Sequence, residues 1–502
     1  MTSPTLLRRL ILLLVLGARV AAGASSFSGT VFEDTNANGV RDPGERGIPG
    51  VQVSDGTSIV TTDADGAYAI TTSATTVFVI KPPGWTFRTD ARNLPLFHRR
   101  SSGDFALVRH AEGEAFKLLV VTDTQPATAK EIGYLDKSLV ETMAGRHDLA
   151  FGVTLGDLVY DRPDLFEALA TDIARIGIPW HNLPGNHDLA LMAGSEAQAL
   201  KPFEDAFGPS TYAFGVGKAL FIALDDVRPR GGPRYVGGLT ADQFSFLTAL
   251  LSTTAPDTLV VTLVHIPLFV DPSGPETFRL ADRRRLFDLL ARFPHTLVLS
   301  SHTHVQRHVF HDAASGWTGA SPLHEFNVAA ACGGFWGGAP GPTGLPPATM
   351  WDGTPPGCAI VSITGTAYSL TYVPTEFPAD HQIGLYVPPV IATGLGYVTA
   401  YANVYNAHPG WTLRARVDDR AATAMTPILG WDPSYAAAFV AQDQGPAPAP
   451  GSRLPDPVLC YHLYKAYLPA DLAPGTHRFE TTAVDPDGNT YTQSRPFTVL
   501  SR

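Results

Sequence analysis

The sequence predicts a central α/β (α+β) domain flanked by two all-β sandwich domains. In the middle of the chain, near-continuous apolar runs such as residues 118–121 and 259–264 alternate with helical stretches, which is typical of a buried sheet covered by helices. Towards both ends, short alternating runs are separated by Asp/Gly or Pro/Gly turns, as in β-sandwiches. We predict that the three domains cover residues 25–110, 111–380 and 381–502.

Elements of the central domain carry signals at their boundaries. Residues 151–155 and 297–299 are apolar enough to be central strands. Residues 163–176 have a proline near the first helical position and stop before a glycine, which predicts a helix. Residues 240–251 begin with Thr-Ala-Asp-Gln, a capping-box pattern, and continue as an amphipathic run, which predicts a second helix.

Length and charge limit the classes of protein. A chain of 502 residues is too long for one ordinary hydrophobic core, which agrees with several domains. The formal net charge of −11 at pH 7 gives no general attraction to nucleic acid or to an anionic membrane. We therefore expect no nucleic-acid binding.

The first 24 residues have the pattern of an export signal. Two arginines precede the apolar run of residues 10–16, and small residues at positions 22–24 offer a cleavage site. This run is too short to span a bilayer and no later run is long enough, so we expect no transmembrane segment. We predict a secreted, periplasmic or cell-surface protein that is cleaved near Ala24; an uncleaved anchor is the alternative.

The three cysteines do not form a disulfide scaffold. Export permits disulfides, but Cys332, Cys358 and Cys460 allow at most one bridge. Cys332 and Cys358 are the favoured pair because both flank one loop, although the sequence leaves open whether they are bridged.

Polar residues collect directly after the apolar strands of the central domain. The carboxyl ends of strands are where open α/β folds bind ligands, so these clusters can converge. Their carboxylate, amide and imidazole groups suit Mn, Fe or Zn, and one carboxylate can bridge two ions about 3.5–4 Å apart. The clusters are Asp123 with Gln125, Asp157 with Asp161, Asn186 with His187 and Asp188, His265, and His302 with His304.

In order and spacing, these clusters resemble the calcineurin-like metallophosphoesterase family, whose blocks are D-x-H, G-D-x-x-D, G-N-H-[DE], H and G-H-x-H. The resemblance covers residues 116–375. It implies a four-layer metallophosphoesterase sandwich that hydrolyses phosphate mono- or diesters through a metal-bridged hydroxide. The substrate would be a phosphorylated small molecule or a lipid or glycan phosphate. A nucleotide or diphosphate hydrolase of the same fold, or an inactive surface-binding protein, are the alternatives.

The resemblance also implies a role for each residue. Asp157 would bridge two ions, His187 would act as general acid with Asp188 as its partner, and Asp161 would orient a ligand or a loop. The remaining metal ligands would form two sets, with Asp123, Gln125 and His304 on one ion and Asn186, His265 and His302 on the other.

Two positions depart from the family pattern. Gln125 stands where the family usually has His, which predicts weaker or more exchangeable binding at that ion and a preference for Mn or Fe. Ser301 replaces the Gly of G-H-x-H, which affects only the local turn.

A loop and an arginine are candidates for the edge of the substrate site. Residues 332–357 are rich in glycine and aromatic residues. Trp336 and Trp351 could offer a platform for a sugar, base or acyl group, or could simply anchor a rigid loop. Arg228 could approach a phosphate with two hydrogen bonds, or belong to a solvated loop.

The N-terminal domain contains a twelve-residue pattern typical of calcium loops. Gly39 stands at the sixth position, where the loop turns sharply. In its β context the pattern resembles the calcium-stapled B-type repeats of bacterial surface proteins, which implies a structural calcium; a metal-free Asx-rich turn is the alternative. The predicted ligands are Asp34, Asn36, Asn38, the Val40 carbonyl, Asp42 and Glu45.

Overall fold

The computed structural model describes residues 25–270, 275–445 and 453–501, so the predicted export signal lies outside the described residues. The predicted fold class is confirmed: two central sheets with helices outside them are flanked by β-sheets on both sides. The predicted boundaries at 110/111 and 380/381 fall between these groups of strands. In the described part of the chain, no helix has the length and apolar character needed to cross a bilayer.

The N-terminal strands form two four-stranded sheets, in the orders β4-β1-β8-β6 and β3-β2-β5-β7. A buried ion pair between Lys81 and Glu112 joins this region to the central sheets, because Glu112 also accepts the N–H of Gly217. The strands are β1 (Ser25–Glu33), β2 (Gln52–Ser54), β3 (Ile59–Thr61), β4 (Ala67–Thr72), β5 (Val77–Ile80), β6 (Trp85–Thr86), β7 (His98–Arg99) and β8 (Phe105–Arg109).

The central region contains two mixed sheets, in the orders β11-β10-β9-β20-β21 and β12-β13-β16-β17-β19-β18, and the hairpin β14-β15. Its strands are β9 (Ala115–Val121), β10 (Phe151–Leu155), β11 (Trp180–Leu183), β12 (Tyr212–Val216), β13 (Ala219–Ala223), β14 (Val227–Pro229), β15 (Tyr235–Gly237), β16 (Leu259–Leu263), β17 (His295–Ser300), β18 (Arg307–His311), β19 (Leu323–Asn327), β20 (Gly357–Thr364) and β21 (Ala367–Pro374). Its helices are α1 (Ala129–Leu135), α2 (Glu141–Met143), α3 (Phe166–Ile173), α4 (Glu196–Phe207), α5 (Ala241–Thr253) and α6 (Leu280–Leu290).

Side-chain alternation along the central strands builds the layers. In β9, Leu118 and Val120 pack in the core between the two sheets, whereas Leu119 and Val121 pack against the helices outside. Both faces of such a strand are buried, which is why the sequence shows an unbroken apolar run. Each fully buried Val or Leu side chain contributes about 1.5–3 kcal/mol.

The helix signals are also confirmed. Thr240 and Gln243 form the predicted capping box at the start of α5. Residues 163–176 form α3 with a short 3₁₀ turn at each end, and Gly177 closes the segment in the left-handed conformation with φ 89°.

The C-terminal strands form two further sheets, in the orders β22-β24-β28-β27 and β23-β30-β29-β25-β26. The elements are β22 (Ile383–Tyr386), β23 (Val390–Ala392), β24 (Thr399–Val404), β25 (Thr412–Val417), β26 (Thr423–Ala424), β27 (Thr426–Gly430), α7 (Pro433–Gln444), β28 (Cys460–Tyr467), β29 (Gly475–Val484) and β30 (Thr490–Leu500).

Cys332 and Cys358, the pair that the sequence favours for a disulfide, are not bridged. All three cysteines are buried and free. The Sγ atom of Cys332 lies 3.5 Å from Oε1 of Gln125, among the loops that follow the strands. The Sγ atom of Cys358, in β20, instead faces the carbonyl oxygen of Val373 in β21. The two thiols therefore point towards different parts of the domain.

Candidate metal centre

The register of the central strands brings the predicted site residues to one edge of the sheets. In one sheet, Leu263 of β16 pairs with Leu299 of β17, so His265 and Ser301 follow at the same level. The N–H of Ser301 donates to the carbonyl oxygen of His265. In the other sheet, the N–H of Asp123 donates to Gly156 in the same way. The loops are thus bonded to one another where the strands end.

The backbone of these loops is unusual. Within the described residues, eleven non-glycine residues have a positive φ, and six of them belong to the predicted site. Such conformations cost of order 1–3 kcal/mol each and persist only when the surroundings enforce them, which is common at functional sites. The six are Asp123 (φ 46°), Gln125 (37°), Asp157 (52°), Asp161 (54°), His302 (74°) and His304 (51°).

Two glycines permit the close approach of the loops. A Cβ atom on Gly185 would lie 2.2 Å from both the backbone nitrogen and Oδ1 of Asp157. A Cβ atom on Gly156, which has φ +87°, would lie 2.6 Å from the backbone nitrogen of Gly185. Both positions therefore require glycine for steric reasons.

We name one group of ligands, formed by Asn186, His265 and His302, the His265 half of the centre. Nε2 of His265 lies 3.2 Å from Oδ1 of Asn186 and 3.1 Å from Nδ1 of His302. It also lies 3.4 Å from Oδ1 of Asp157. Nδ1 of His265 donates to the carbonyl oxygen of Leu155 at 2.8 Å, which leaves Nε2 facing the other ligand atoms.

The second group, Asp123, Gln125 and His304, forms the His304 half. Oδ1 of Asp123 is buried and has no hydrogen-bond partner among the described residues. It lies 3.8 Å from Nε2 of His304, whose Nδ1 donates to the carbonyl oxygen of Gly333 at 2.5 Å. Gln125 turns its NH₂ group towards Oδ2 of Asp157, at 2.7 Å, so its oxygen does not face the centre.

The charges in the centre favour a cation. Burial raises the pKa of Asp123, and burial beside His265 lowers the pKa of His302 to about 3, so this imidazole is neutral. Burial opposes protonation of His265, but the carboxylates of Asp157 and Asp123 raise its pKa to about 10. The same carboxylates would attract metal ions.

The residues fit a pair of metal ions. Ligand atoms of Asp157, His265 and His302 all lie within 4.8 Å of one another. The unpartnered Asp123 oxygen and the converging lone pairs around His265 would each gain a partner from a bound cation. Asp157 lies between the two halves and contacts both.

His187 is held beside the centre by residues other than its predicted partner. Its Nδ1 lies 3.0 Å from Oδ1 of Asp161, and its ring stacks on Tyr160 with centroids 4.3 Å apart. The His187 side chain is 23% exposed, so Nε2 can meet a substrate. Sequence reasoning missed Tyr160, although it stands at the last position of the G-D-x-x-D spacing that starts at Gly156, one residue before Asp161.

The structure does not pair Asp188 with the His187 imidazole, as its predicted catalytic role requires. Its two carboxylate oxygens accept the backbone N–H groups of Gly185, Leu158 and Val159. Burial raises its pKa to about 7. Asp188 therefore ties two strand-end loops together and does not contact the imidazole through these oxygens.

Aromatic side chains surround the His304 half. Trp351 stacks on the His304 ring with centroids 5.4 Å apart and planes 12° from parallel. Phe335, which the sequence did not single out, lies 4.8 Å from His304 and meets Tyr160 edge-on. Trp336 packs against Tyr134 of α1 instead. Trp351 and Phe335 thus border the centre, while Trp336 anchors the loop.

The structure does not bring Arg228 to the substrate edge. Its side chain is buried, and its guanidinium forms ion pairs with Asp225 and with Glu196 at the start of α4. Because the two carboxylates pair with its terminal nitrogens, Arg228 ties the loop after β13 to the start of α4.

The predicted calcium loop folds as a unit. Buried Asp34 accepts the N–H groups of Asn38 and Gly39, and the side-chain amides of Asn36 and Asn38 both donate to Oδ2 of Asp42. The Glu45 carboxylate accepts two backbone N–H groups of the same loop. The side chain of Val40 is exposed.

The fold and the donor set define a two-sheet α/β domain with a group of metal-ligating side chains at its strand ends. The chain belongs to the calcineurin-like phosphoesterase family, since three family models match it in order. They describe the N-terminal part of calcineurin-like phosphoesterases (residues 35–117), the phosphoesterase domain itself (116–306) and the C-terminal part (325–491). A comparison with curated proteins gives no match.

Among solved structures, the chain is similar to purple acid phosphatase PPD1 from seeds of yellow lupin (Lupinus luteus). The two are 13% identical, with a TM-score of 0.40, over 70% of this chain and 64% of the lupin chain. The match thus spans less than two thirds of the lupin protein.

Proposed function

We propose that the protein hydrolyses phosphate mono- or diesters at a two-metal centre, with Mn, Fe or Zn as the ions. The observation that carries the proposal is the convergence of Asn186, His302 and Asp157 on Nε2 of His265, beside the unpartnered oxygen of Asp123. Bound ions supply a nucleophile from water and neutralise the charge that develops on the phosphoryl group.

The side chains around the centre position the reacting groups. His187 donates a proton from Nε2 to the leaving oxygen, because Asp161 holds its Nδ1–H and Tyr160 holds its ring. Asp157 is oriented by the backbone N–H of His187 and by the amide of Gln125. The exposed ring of Tyr160 suits a leaving group with an apolar part, such as a small organic, lipid or glycan phosphate.

The test is metal-dependent hydrolysis of bis-p-nitrophenyl phosphate and p-nitrophenyl phosphate. The protein is stripped of metal and given Mn, Fe or Zn, and Asp157→Ala is compared with Asp164→Ala, a matched change at an exposed carboxylate. We expect Asp157→Ala to lose both ions and to fall about 10³-fold or more in kcat/KM, because several kcal/mol of charge stabilisation are lost. Turnover that survives in Asp157→Ala would contradict the site.

The substrate class is tested with the same wild-type protein. A panel that includes a nucleoside diphosphate derivative separates a phosphoesterase from a diphosphate hydrolase of the same fold. Tight binding of two ions without turnover of any substrate would favour an inactive surface-binding protein.

Export with cleavage near Ala24 is proposed from residues 1–24, which lie outside the described structure. The expected mature protein begins close to Ser25. Sequencing the N-terminus of protein recovered outside the cytoplasm tests this, and an intact Met1 there would support an uncleaved anchor.

A structural calcium in the loop of residues 34–45 is proposed from its full set of oxygen donors and the sharp turn at Gly39, which has φ 80°. In thermal unfolding, calcium should raise the melting temperature of the wild type but not of Asp34→Ala. The same response in both proteins would favour a metal-free turn.

A further inference from the structure

A buried polar network joins the C-terminal sheets to the loops beside His304. Its centre is His462 in β28, and we name it the His462 network, formed by His462, Asp352, Gln306 and Asn403. Nε2 of His462 lies 3.3 Å from Oδ2 of Asp352 and 3.1 Å from the carbonyl oxygen of Gln306. Its Nδ1 lies 2.7 Å from Oδ1 of Asn403 in β24. Each of the four residues is at most 1% exposed.

Asp352 connects this network to the segment that carries His304. Its Oδ2 accepts the backbone N–H of Gln306 at 3.0 Å, and its Oδ1 accepts the N–H of Thr354 at 2.9 Å. Gln306 is two residues beyond His304, and its side-chain amide donates to the carbonyl oxygen of Tyr405. The chain directly after His304 is therefore held by Asp352 and by Tyr405 of the C-terminal region.

The C-terminal part of the chain also holds the tryptophan that stacks on His304. The Trp351 ring stacks on His304, and the carbonyl oxygen of Trp351 accepts the N–H of Val458 at 3.1 Å. The next carbonyl oxygen, on Asp352, accepts the side-chain amide of Asn403 at 3.0 Å. Trp351, which stacks on the His304 ring, and Gln306, two residues after His304, are thus both hydrogen-bonded to C-terminal residues.

The chemistry of the His462–Asp352 pair favours a role in positioning other groups over a role in stability alone. Burial opposes the charged form of His462, but the neighbouring Cys460 and Asp352 raise its pKa to about 10. A buried ion pair is an inefficient source of stability because desolvation offsets the attraction, whereas its directed hydrogen bonds fix geometry. Groups that orient metal ligands commonly change metal affinity 10–100-fold when removed.

We propose that His462 is a positioning residue for the metal centre, which acts through Asp352 and Trp351 on His304. The C-terminal sheets then set the affinity for the ion in the His304 half, while the ion in the His265 half is independent of them. This inference rests on the proposed function only in assuming that the centre holds two ions.

The experiment measures the affinity for each ion in the full chain with a competing chelator, using Zn²⁺, and records the visible spectrum with Co²⁺. His462→Asn keeps a group near Nδ1 but cannot reach Asp352, whereas His462→Gln keeps a donor near Nε2. His477→Gln is the control, because His477 forms a similar pair with Asp418 in the same C-terminal sheets, with Nδ1 2.7 Å from Oδ2.

We expect His462→Asn to weaken one ion about tenfold or more and to change the Co²⁺ spectrum, while the second ion binds as in the wild type. His462→Gln should recover most of the loss, and the control should match the wild type. If His462→Asn does not fold, Asp352→Asn is titrated in the same way.

Equal weakening of both ions, or unchanged affinities with a lowered melting temperature, would overturn the proposal and leave a purely structural pair. The titration does not need turnover. Wild-type protein that binds two ions without hydrolysing any ester would therefore contradict the proposed function alone.

Discussion

The two halves of the metal centre are built differently. In the His265 half, the ligand atoms of Asn186 and His302 lie 3.2 and 3.1 Å from Nε2 of His265. In the His304 half, Oδ1 of Asp123 is 3.8 Å from Nε2 of His304, and Gln125 presents its NH₂ group to the centre. The first half is closed and ready for an ion, and the second is more open.

The difference follows from what supports each half. His265 is held by the end of β10 through Leu155 and by Asp226, which accepts its backbone N–H. His304 is held by the carbonyl oxygen of Gly333 and by the Trp351 ring, and both of these belong to a loop. Sheet register fixes the first half, whereas loop packing and the C-terminal sheets fix the second.

The largest effect should come from removing the proton donor beside the His265 half while all metal ligands stay in place. His187→Ala removes the proton donor but no ligand, so we expect kcat to fall about 10²–10⁴-fold while both ions stay bound. Asp161→Asn should lower kcat less, because the imidazole stays in place and its Nδ1–H keeps an oxygen acceptor that has lost only its negative charge. Steady-state kinetics and metal analysis of the same samples measure both effects, and a rate equal to the wild type in His187→Ala would contradict the role.

The His304 half can be sharpened by restoring the family ligand. Gln125→His replaces an amide with an imidazole lone pair, and we expect one ion to bind about tenfold more tightly while the other is unchanged. Gln444→His, at the exposed end of α7, is the matched control. The zinc affinities of the wild type and of both variants, measured by competition with a chelator, test this expectation. A change in both ions would show that the two halves are not independent.

The sequence predicted the features that follow from the central sheets, namely the strands and the polar residues at their ends. The apolar runs gave the central strands, and the polar residues directly after them converge because strand ends align. The capping box at Thr240 and the helix end at Gly177 are local patterns, so they could be seen without tertiary information. The predicted ligands of the metal centre lie at this edge because each of them directly follows a central strand.

The errors concern choices that local sequence does not decide. Asp161 and Asp188 are both carboxylates near His187, and only the three backbone N–H groups that occupy Asp188 show which one is free. Cys332 and Cys358 flank one loop, yet their side chains face different layers. The contact of His462 with Gln306 spans 156 positions, which no motif could reveal.

The last prediction tests the segment that connects the central sheets to the C-terminal sheets. Glu376 lies between β21 and β22, and burial raises its pKa to about 7; its Oε1 has no hydrogen-bond partner among the described residues. Between about pH 4.5 and 7 the folded state therefore binds more protons than the unfolded state, so the free energy of unfolding falls as pH rises. The loss can reach about 3 kcal/mol over this window.

Glu376→Gln carries no titrating group, so its stability should not show this fall. Urea unfolding at about pH 5 and about pH 7.5 measures the difference between the two proteins, with the exposed Glu114→Gln as the control that should keep the wild-type slope. Parallel pH dependences in the wild type and Glu376→Gln would show that this segment carries no buried charge.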